Sequence, residues 1–369
     1  MFAKGFLTLL LCFLTATVYW VAGLRNGAGL DREPEPDFFA TTEGALLEDP
    51  QRWLRRAPLA TTPLLAAALD ASQKNDQPRF KAALDAAIKR DPRSEPAWMW
   101  RAENAAIAGK YQTAIEAIVH LIRINRRDAA LYYELLADIA QAPEGAEIVL
   151  ETFSSSNDII SRILPILIER QTNPDLLFAF SLVSDTAARR RFLQYLLRTG
   201  DQQRAFIAWL QYLPEDRLSN LTWPINTAFT EPNPYPPFDW SLNLDKVETS
   251  QDGLYTVYLG RGQMTFAEQI MPLTPGRYRF RAEMTGYIKP RGGRFAWTIH
   301  CVGEKEPIMY LSPKSLSATR GVFEIEFETP STDCAFQYLA LRSEPGEYAR
   351  RATAQTYKIG LESIQNSKN

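Results

Sequence analysis

His120 and His300 are the only histidines in this chain, and Cys12, Cys301 and Cys334 are its only cysteines. Covalent catalysis needs a nucleophile, a base beside it and a third group that orients the base. Neither histidine stands in a spacing that supplies such a set. His120 falls in an apolar helical stretch. His300 alternates away from the face that carries Trp297, which predicts an exposed side chain. Gly-x-Ser-x-Gly, Walker and dinucleotide-binding patterns are absent. Gly260-Arg261-Gly262 and Arg291-Gly292-Gly293 read as turns. So few soft ligands exclude a structural zinc cluster. The expectation is a chain that is no enzyme and carries no cofactor and no catalytic or metal site.

Recognition chemistry is more legible. A sugar offers apolar ring faces to aromatics and hydroxyls to charged groups. Tyr287, Arg291 and Arg294, in one Gly-rich stretch, combine both, and Trp240 with Tyr235 forms a second set. These are candidate glycan contacts. Loop anchoring and domain-junction packing are the competing roles.

The elements that would position these residues follow from the pattern of the chain. Its 369 residues, 46% hydrophobic and 23% charged, indicate a folded protein of about two domains. The 41 basic and 43 acidic residues leave a net charge of −2, which argues against a nucleic-acid partner. Gly5 to Gly23 carries no charge and lies between Lys4 and Arg25. Such a run matches the roughly 20 apolar residues that span a bilayer. Tyr19 and Trp20 suit an interfacial anchor, while Val21-Ala22-Gly23 would suit signal-peptide cleavage. Residues 1–25 are therefore expected to be a transmembrane helix or a signal peptide. The anchored reading makes the protein a single-pass membrane protein, held through residues 5–23 with its bulk across the membrane. Residues 26–55, with Arg32-Glu33-Pro34... proline and acid alternating to Pro36, read as a polar tether.

Residues 56–220 read as helices. Trp98, Ala102, Gly109, Tyr111 and Ala114 follow one another at helical spacing, and Pro92 closes the preceding unit. Pro92 lies 34 residues before Arg126, which takes the equivalent slot. In residues and period this resembles the tetratricopeptide repeat, whose small positions allow close helix approach. Phe80, at a small-residue position, and Arg126, at the closing proline, depart from the pattern. A third unit begins at Tyr132 and decays after Pro143, and Gly200 marks a turn in a further pair. The resemblance implies a solenoid that binds a protein partner. Arg189-Arg190-Arg191 reads as a solvated face.

Residues 221–236 are a Pro-rich linker, and residues 237–369 alternate like strands. Seven to nine strands are expected, forming an antiparallel β-sandwich of jelly-roll type. Tyr278, Phe280, Ala282 and Met284 alternate with Arg277, Arg279, Arg281 and Glu283. Phe323, Ile325 and Phe327 alternate with Glu324, Glu326 and Glu328. The opposite charges predict neighbouring strands. Cys301 and Cys334 sit at strand ends, and a disulfide is the expected use of two cysteines in an exported domain. Buried thiols are the alternative.

The succession Phe238-x-Trp240, Pro275-Gly276-x-Tyr278, Trp297-x-x-x-Cys301 and Cys334-x-x-Gln337 resembles the C-terminal sandwiches of proteobacterial cell-envelope proteins with helical repeats. Those are similar in outline to carbohydrate-binding jelly rolls, and some belong to exopolysaccharide export systems. The resemblance implies a non-catalytic scaffold or adaptor in polysaccharide assembly or export, anchored in the bacterial inner membrane with its bulk in the periplasm. Envelope proteins would be its partners through the repeats, and polysaccharide through the sandwich. A membrane-tethered carbohydrate-binding module is the alternative.

Overall fold

A computed structural model describes residues 60–364. The expected anchor and the whole polar tether lie outside the described residues. Among the described residues, no helix is long and apolar enough to cross a membrane. The chain divides into two compact units, one running through Trp100 and the other from Arg101.

In the first unit, α1 (Thr62–Gln73) and α2 (Gln77–Arg90) form a hairpin. Asp76 starts α2 by accepting a 3.1 Å bond from the backbone N–H of Arg79. Ala68, Ala71, Ala83 and Ala87 are buried between the two helices, beside Leu64, Phe80 and Leu84. Small side chains bring the helix axes together, and the few large ones fill the remaining gaps. Phe80 is thus core despite its size. The Trp98 indole donates to the Pro92 carbonyl at 2.9 Å, which ties the next helix, α3 (Glu95–Ile107), to the turn before it.

The second unit opens with a helical stack. It comprises α4 (Tyr111–Ile124), α5 (Ala129–Ala140), α6 (Pro143–Phe153), α7 (Asn157–Glu169), α8 (Pro174–Leu182), α9 (Thr186–Arg198), α10 (Gln202–Tyr212) and the short α11 (Glu215–Ser219). From α4 to α10 each helix packs on the next, and α5, α7 and α9 also pack on one another in succession. Two layers of alternating helices result, as in a repeat array. Gly109 (φ +70°) and Gly200 (φ +83°) occupy left-handed turns before α4 and α10, as their spacing predicts. The repeat pattern decays after Pro143 in sequence, but the helical stack continues. That proline opens α6, at a position where its missing N–H costs no helical bond.

The rest of the unit is a sandwich of two five-stranded antiparallel sheets. The first sheet runs β1 (Ser241–Leu242), β4 (Thr265–Met271), β9 (Gln337–Glu344), β6 (Arg294–Cys301), β7 (Pro307–Leu311). The second runs β2 (Val247–Ser250), β3 (Gly253–Tyr258), β10 (Ala352–Ser363), β5 (Gly276–Tyr287), β8 (Gly321–Thr329). Phe266, Phe280, Phe295, Trp297, Leu339 and Leu341 fill the space between the sheets. The two alternating strands are neighbours, with Arg277, Arg279 and Arg281 opposite Glu328, Glu326 and Glu324. Glu326 accepts from Arg277 at 3.0 Å and from Arg279 at 2.7 Å. Cys301 and Cys334 form a disulfide that joins the end of β6 to the approach to β9.

Helices and sandwich meet on an aromatic seam. Phe206 and Trp209 of α10 pack against Trp223, Phe238 and Phe336 at centroid distances of 5.5–6.3 Å. Asp239 is buried in this seam, where it accepts from the Tyr235 backbone N–H at 2.8 Å and pairs with Arg217 at 3.2 Å. Burial pushes its carboxyl pKa up, and those two donors oppose the shift. The arginine run is not simply a solvated face. Arg189 donates to the Leu182 carbonyl and the Tyr235 hydroxyl, and Arg190 to the Pro234 carbonyl. Two of the three cations thus hold α9 against the end of α8 and the linker, and Arg191 is left exposed.

Candidate functional site

Two surfaces of the second unit have the shape and chemistry of binding sites. One is an open groove of about 890 Å³ on the helical stack. The layer of α5, α7 and α9 forms its floor, with Tyr133, Glu134, Arg162 and Ile166 among its walls and Arg126 and Arg191 at its rim. Pro165 lies inside α7, so the Ser161 carbonyl one turn earlier lacks its helical donor, and both residues line the groove. Arg162 is held by Asp158 at 3.2 Å and sits 5.6 Å from the Tyr133 ring. Glu134 is engaged by Arg170. Arg126 and Arg191 make no ion pair among the described residues. The groove thus offers apolar wall and two uncommitted cations, which suits an extended peptide with carboxylates.

The second surface is the outer face of the first sheet. Strand pairing places Glu268, Ala340, Thr298 and Tyr310 on one rung, in register across four strands. Tyr338 and His300 share the next rung, and Arg342 faces Ala296 on the other side. The centre is therefore small, and the periphery is aromatic or charged. Thr298 Oγ1, His300 Nε2 and Arg342 Nε are all buried on this face without a hydrogen-bond partner. Buried polar atoms are ordinarily paired, and water or the hydroxyls of a ligand could pair these three. Burial lowers the His300 pKa, and Arg342 lowers it further. Burial raises the pKa values of Glu268 and Tyr338. His300 is only 6% exposed, which corrects the expectation of a solvent-facing side chain. It does point to the outer face, but the flanking strands bring Tyr338 and Pro307 against it.

The glycan candidates divide. Tyr287 ends β5 and is 58% exposed. Arg291 lies in the following loop, 3.7 Å from Glu347, and Arg294 begins β6, 3.6 Å from Glu344. These three share one end of the sandwich. Trp240 does not join them. It is 1% exposed, its ring lies 4.8 Å from Phe229, and its indole N–H goes to the Ile225 carbonyl. No ring face remains for a ligand. Tyr235 is likewise buried in the seam. The outer-face residues escaped sequence reasoning because each is ordinary alone and only strand pairing assembles them. The repeat positions Ala102 and Ala114 are buried, and Tyr111 opens α4. Among the described residues, no group of three or more His, Cys, Asp or Glu side chains is placed to hold a metal ion.

No protein-family profile matches this chain, and no curated protein matches it. Among solved structures, it is similar to the carbohydrate-binding module TmCBM61 in complex with β-1,4-galactotriose, at 13% identity over 35% of this chain and 90% of that one, with a TM-score of 0.25. A carbohydrate-binding module of the CBM4 type aligns at 15% identity over 37% of this chain and 98% of that one, with a TM-score of 0.28. The APC/C hetero-tetramer Cut9–Hcn1 aligns at 16% identity over 45% of this chain and 35% of that one, with a TM-score of 0.24. The likenesses are slight, and the functional reading rests on the geometry of this chain.

Proposed function

We propose that this is a non-catalytic scaffold whose helical stack holds an extended segment of another protein in the groove of α5, α7 and α9. The observation that carries this reading is the groove itself, with Arg126 and Arg191 uncommitted at its rim and the Ser161 carbonyl without its helical donor. An anchor through residues 5–23 and a place in a periplasmic polysaccharide assembly or export system belong to the same proposal. A photo-crosslinking amino acid in place of Tyr133 should capture one discrete protein in cells. Capture should be lost on charge reversal by R126E/R191E. The same probe in place of Glu147, on the other helical layer, should capture nothing. Equal capture from both positions, or none from either, would sink the proposal.

A second reading has its own support. The outer face of the first sheet, with its small floor, two tyrosines and three unpartnered polar atoms, suits an oligosaccharide. Stacking of a sugar on the half-exposed Tyr310 would be worth about 1–1.5 kcal/mol, or roughly tenfold in affinity. In affinity electrophoresis through polysaccharide gels, Y310A should lose the retardation and Y287A should keep it. The reverse pattern would return the site to the loop that carries Tyr287, Arg291 and Arg294.

A further inference from the structure

The sandwich is electrically lopsided along its strands. Five connections meet at one end: residues 243–246, 259–264, 288–293, 312–320 and 345–351. Backbone contacts knit them together. Tyr348 N–H donates to the Arg291 carbonyl at 3.1 Å, and Gly286 N–H donates to the Ser317 carbonyl at 3.0 Å. Gly346 lies so close to the Gly292 backbone that a Cβ there would stand 2.2 Å from it. In sequence these five segments hold eight Lys or Arg residues against two acids, Asp245 and Glu347. The four connections at the opposite end hold four acids against one cation, Lys305. Arg261, Lys289, Lys314 and Arg351 are exposed and make no ion pair among the described residues.

The same cationic end carries the exposed apolar side chains. Leu244 is 77% exposed and Leu259 is 56% exposed, and both sit in these connections. Tyr287, Tyr348 and Val322 add to them at the same end. This end lies away from the aromatic seam, which contacts the sandwich at Phe336 beside the acidic connections. Cations ringed around protruding leucine and tyrosine side chains answer two demands at once. The charge meets an anionic layer, and the apolar tips enter the boundary beneath it. A polysaccharide has charge and flat ring faces but no interior for an exposed leucine to enter.

We infer that the cationic loop end of the sandwich is a docking surface for an anionic lipid bilayer, with Leu244 and Leu259 as the inserting tips. The test uses the full chain carrying C12S and a single reporter cysteine, L259C, labelled without reductant with an environment-sensitive fluorophore. A second labelled protein carries S331C, at the acidic end. Phosphatidylcholine vesicles containing phosphatidylglycerol should raise emission from position 259 at least twofold with a blue shift. Pure phosphatidylcholine vesicles should not, and position 331 should stay unchanged. Anchoring elsewhere in the chain would not move position 259 alone. Charge reversal by R350E/R351E, or independently by K289E/K314E, should weaken the response at least tenfold, as should high salt. No response at 259, an equal response at 331, or a response to dextran sulfate without one to vesicles would overturn the inference. The last outcome would reassign the surface to an anionic polymer.

Discussion

Glu326 shows what one carboxylate does on an exposed strand. Two guanidinium groups reach it from the neighbouring strand, and the hydrogen bond from Arg279 holds its pKa below the ordinary glutamate value. A depressed pKa means that the charged form is favoured by folding. The stabilisation is therefore present above the unfolded glutamate pKa and is lost as pH falls through the folded value. An NMR titration should place the Glu326 midpoint below that of a free glutamate, and R279Q should bring it most of the way back. An unshifted midpoint would mean that the pair is open in solution. Asp239 illustrates the opposite sign, because burial outweighs its two donors and raises its pKa. Both residues are acids in sequence, and only packing separates them.

Among the elements, β6 carries the most. Its neighbours in the sheet are β9 and β7, and the disulfide leaves from its end. Closing a loop across the 33-residue separation of Cys301 and Cys334 should stabilise the sandwich by roughly 3–4 kcal/mol through loss of unfolded-state freedom. The double variant C301A/C334A should show that loss in urea unfolding. A change below about 1 kcal/mol would mean that the unfolded chain is already compact there. The long strands were legible because apolar and charged residues alternate cleanly, as in Tyr278 to Met284. The cysteine pair was legible from its number and place. β1, β2 and β7 were not, being short, and β7 opens on Pro307 and continues as an unbroken apolar run. For Trp240, beside a proline cluster, sequence leaves glycan contact and domain-junction packing open, and its place in the sandwich core decides for packing. The partners of Thr298, His300 and Arg342 lie on strands far apart in the chain, so no local pattern announces their shared face.

At the scale of the second unit, the aromatic seam couples helices to sandwich. Trp209 is fully buried, packed between Phe206, Trp223 and Phe238. Truncation of such a side chain typically costs about 3–5 kcal/mol. W209A should therefore destabilise the unit by that order. It should also separate the helical and β signals, which in the native protein should unfold together when followed by far-ultraviolet and aromatic circular dichroism. Coincident transitions in W209A would show that coupling runs through other contacts. Independent transitions in the native protein would show that the seam is an adhesive between self-sufficient parts. The periodicity of the helices and the proline break before the sandwich were readable in sequence. The seam was not, because Phe206, Trp223 and Phe336 come from three separate segments.

The strand β8 has one further consequence. It is the outermost strand of its sheet and nine residues long; among the described residues β5 is the strand hydrogen-bonded to it, and β7 of the other sheet lies near by. An edge of that length is a template on which another copy of the same strand can grow. Glu324, Glu326 and Glu328 occupy alternate positions along it. Two such edges approaching each other would bring like charges together on the same face, at the spacing at which strands pair. The glutamates that lock β5 to β8 from one side thus act as a repellent on the other. The same residues that pair across this sheet would oppose its continuation by a second molecule.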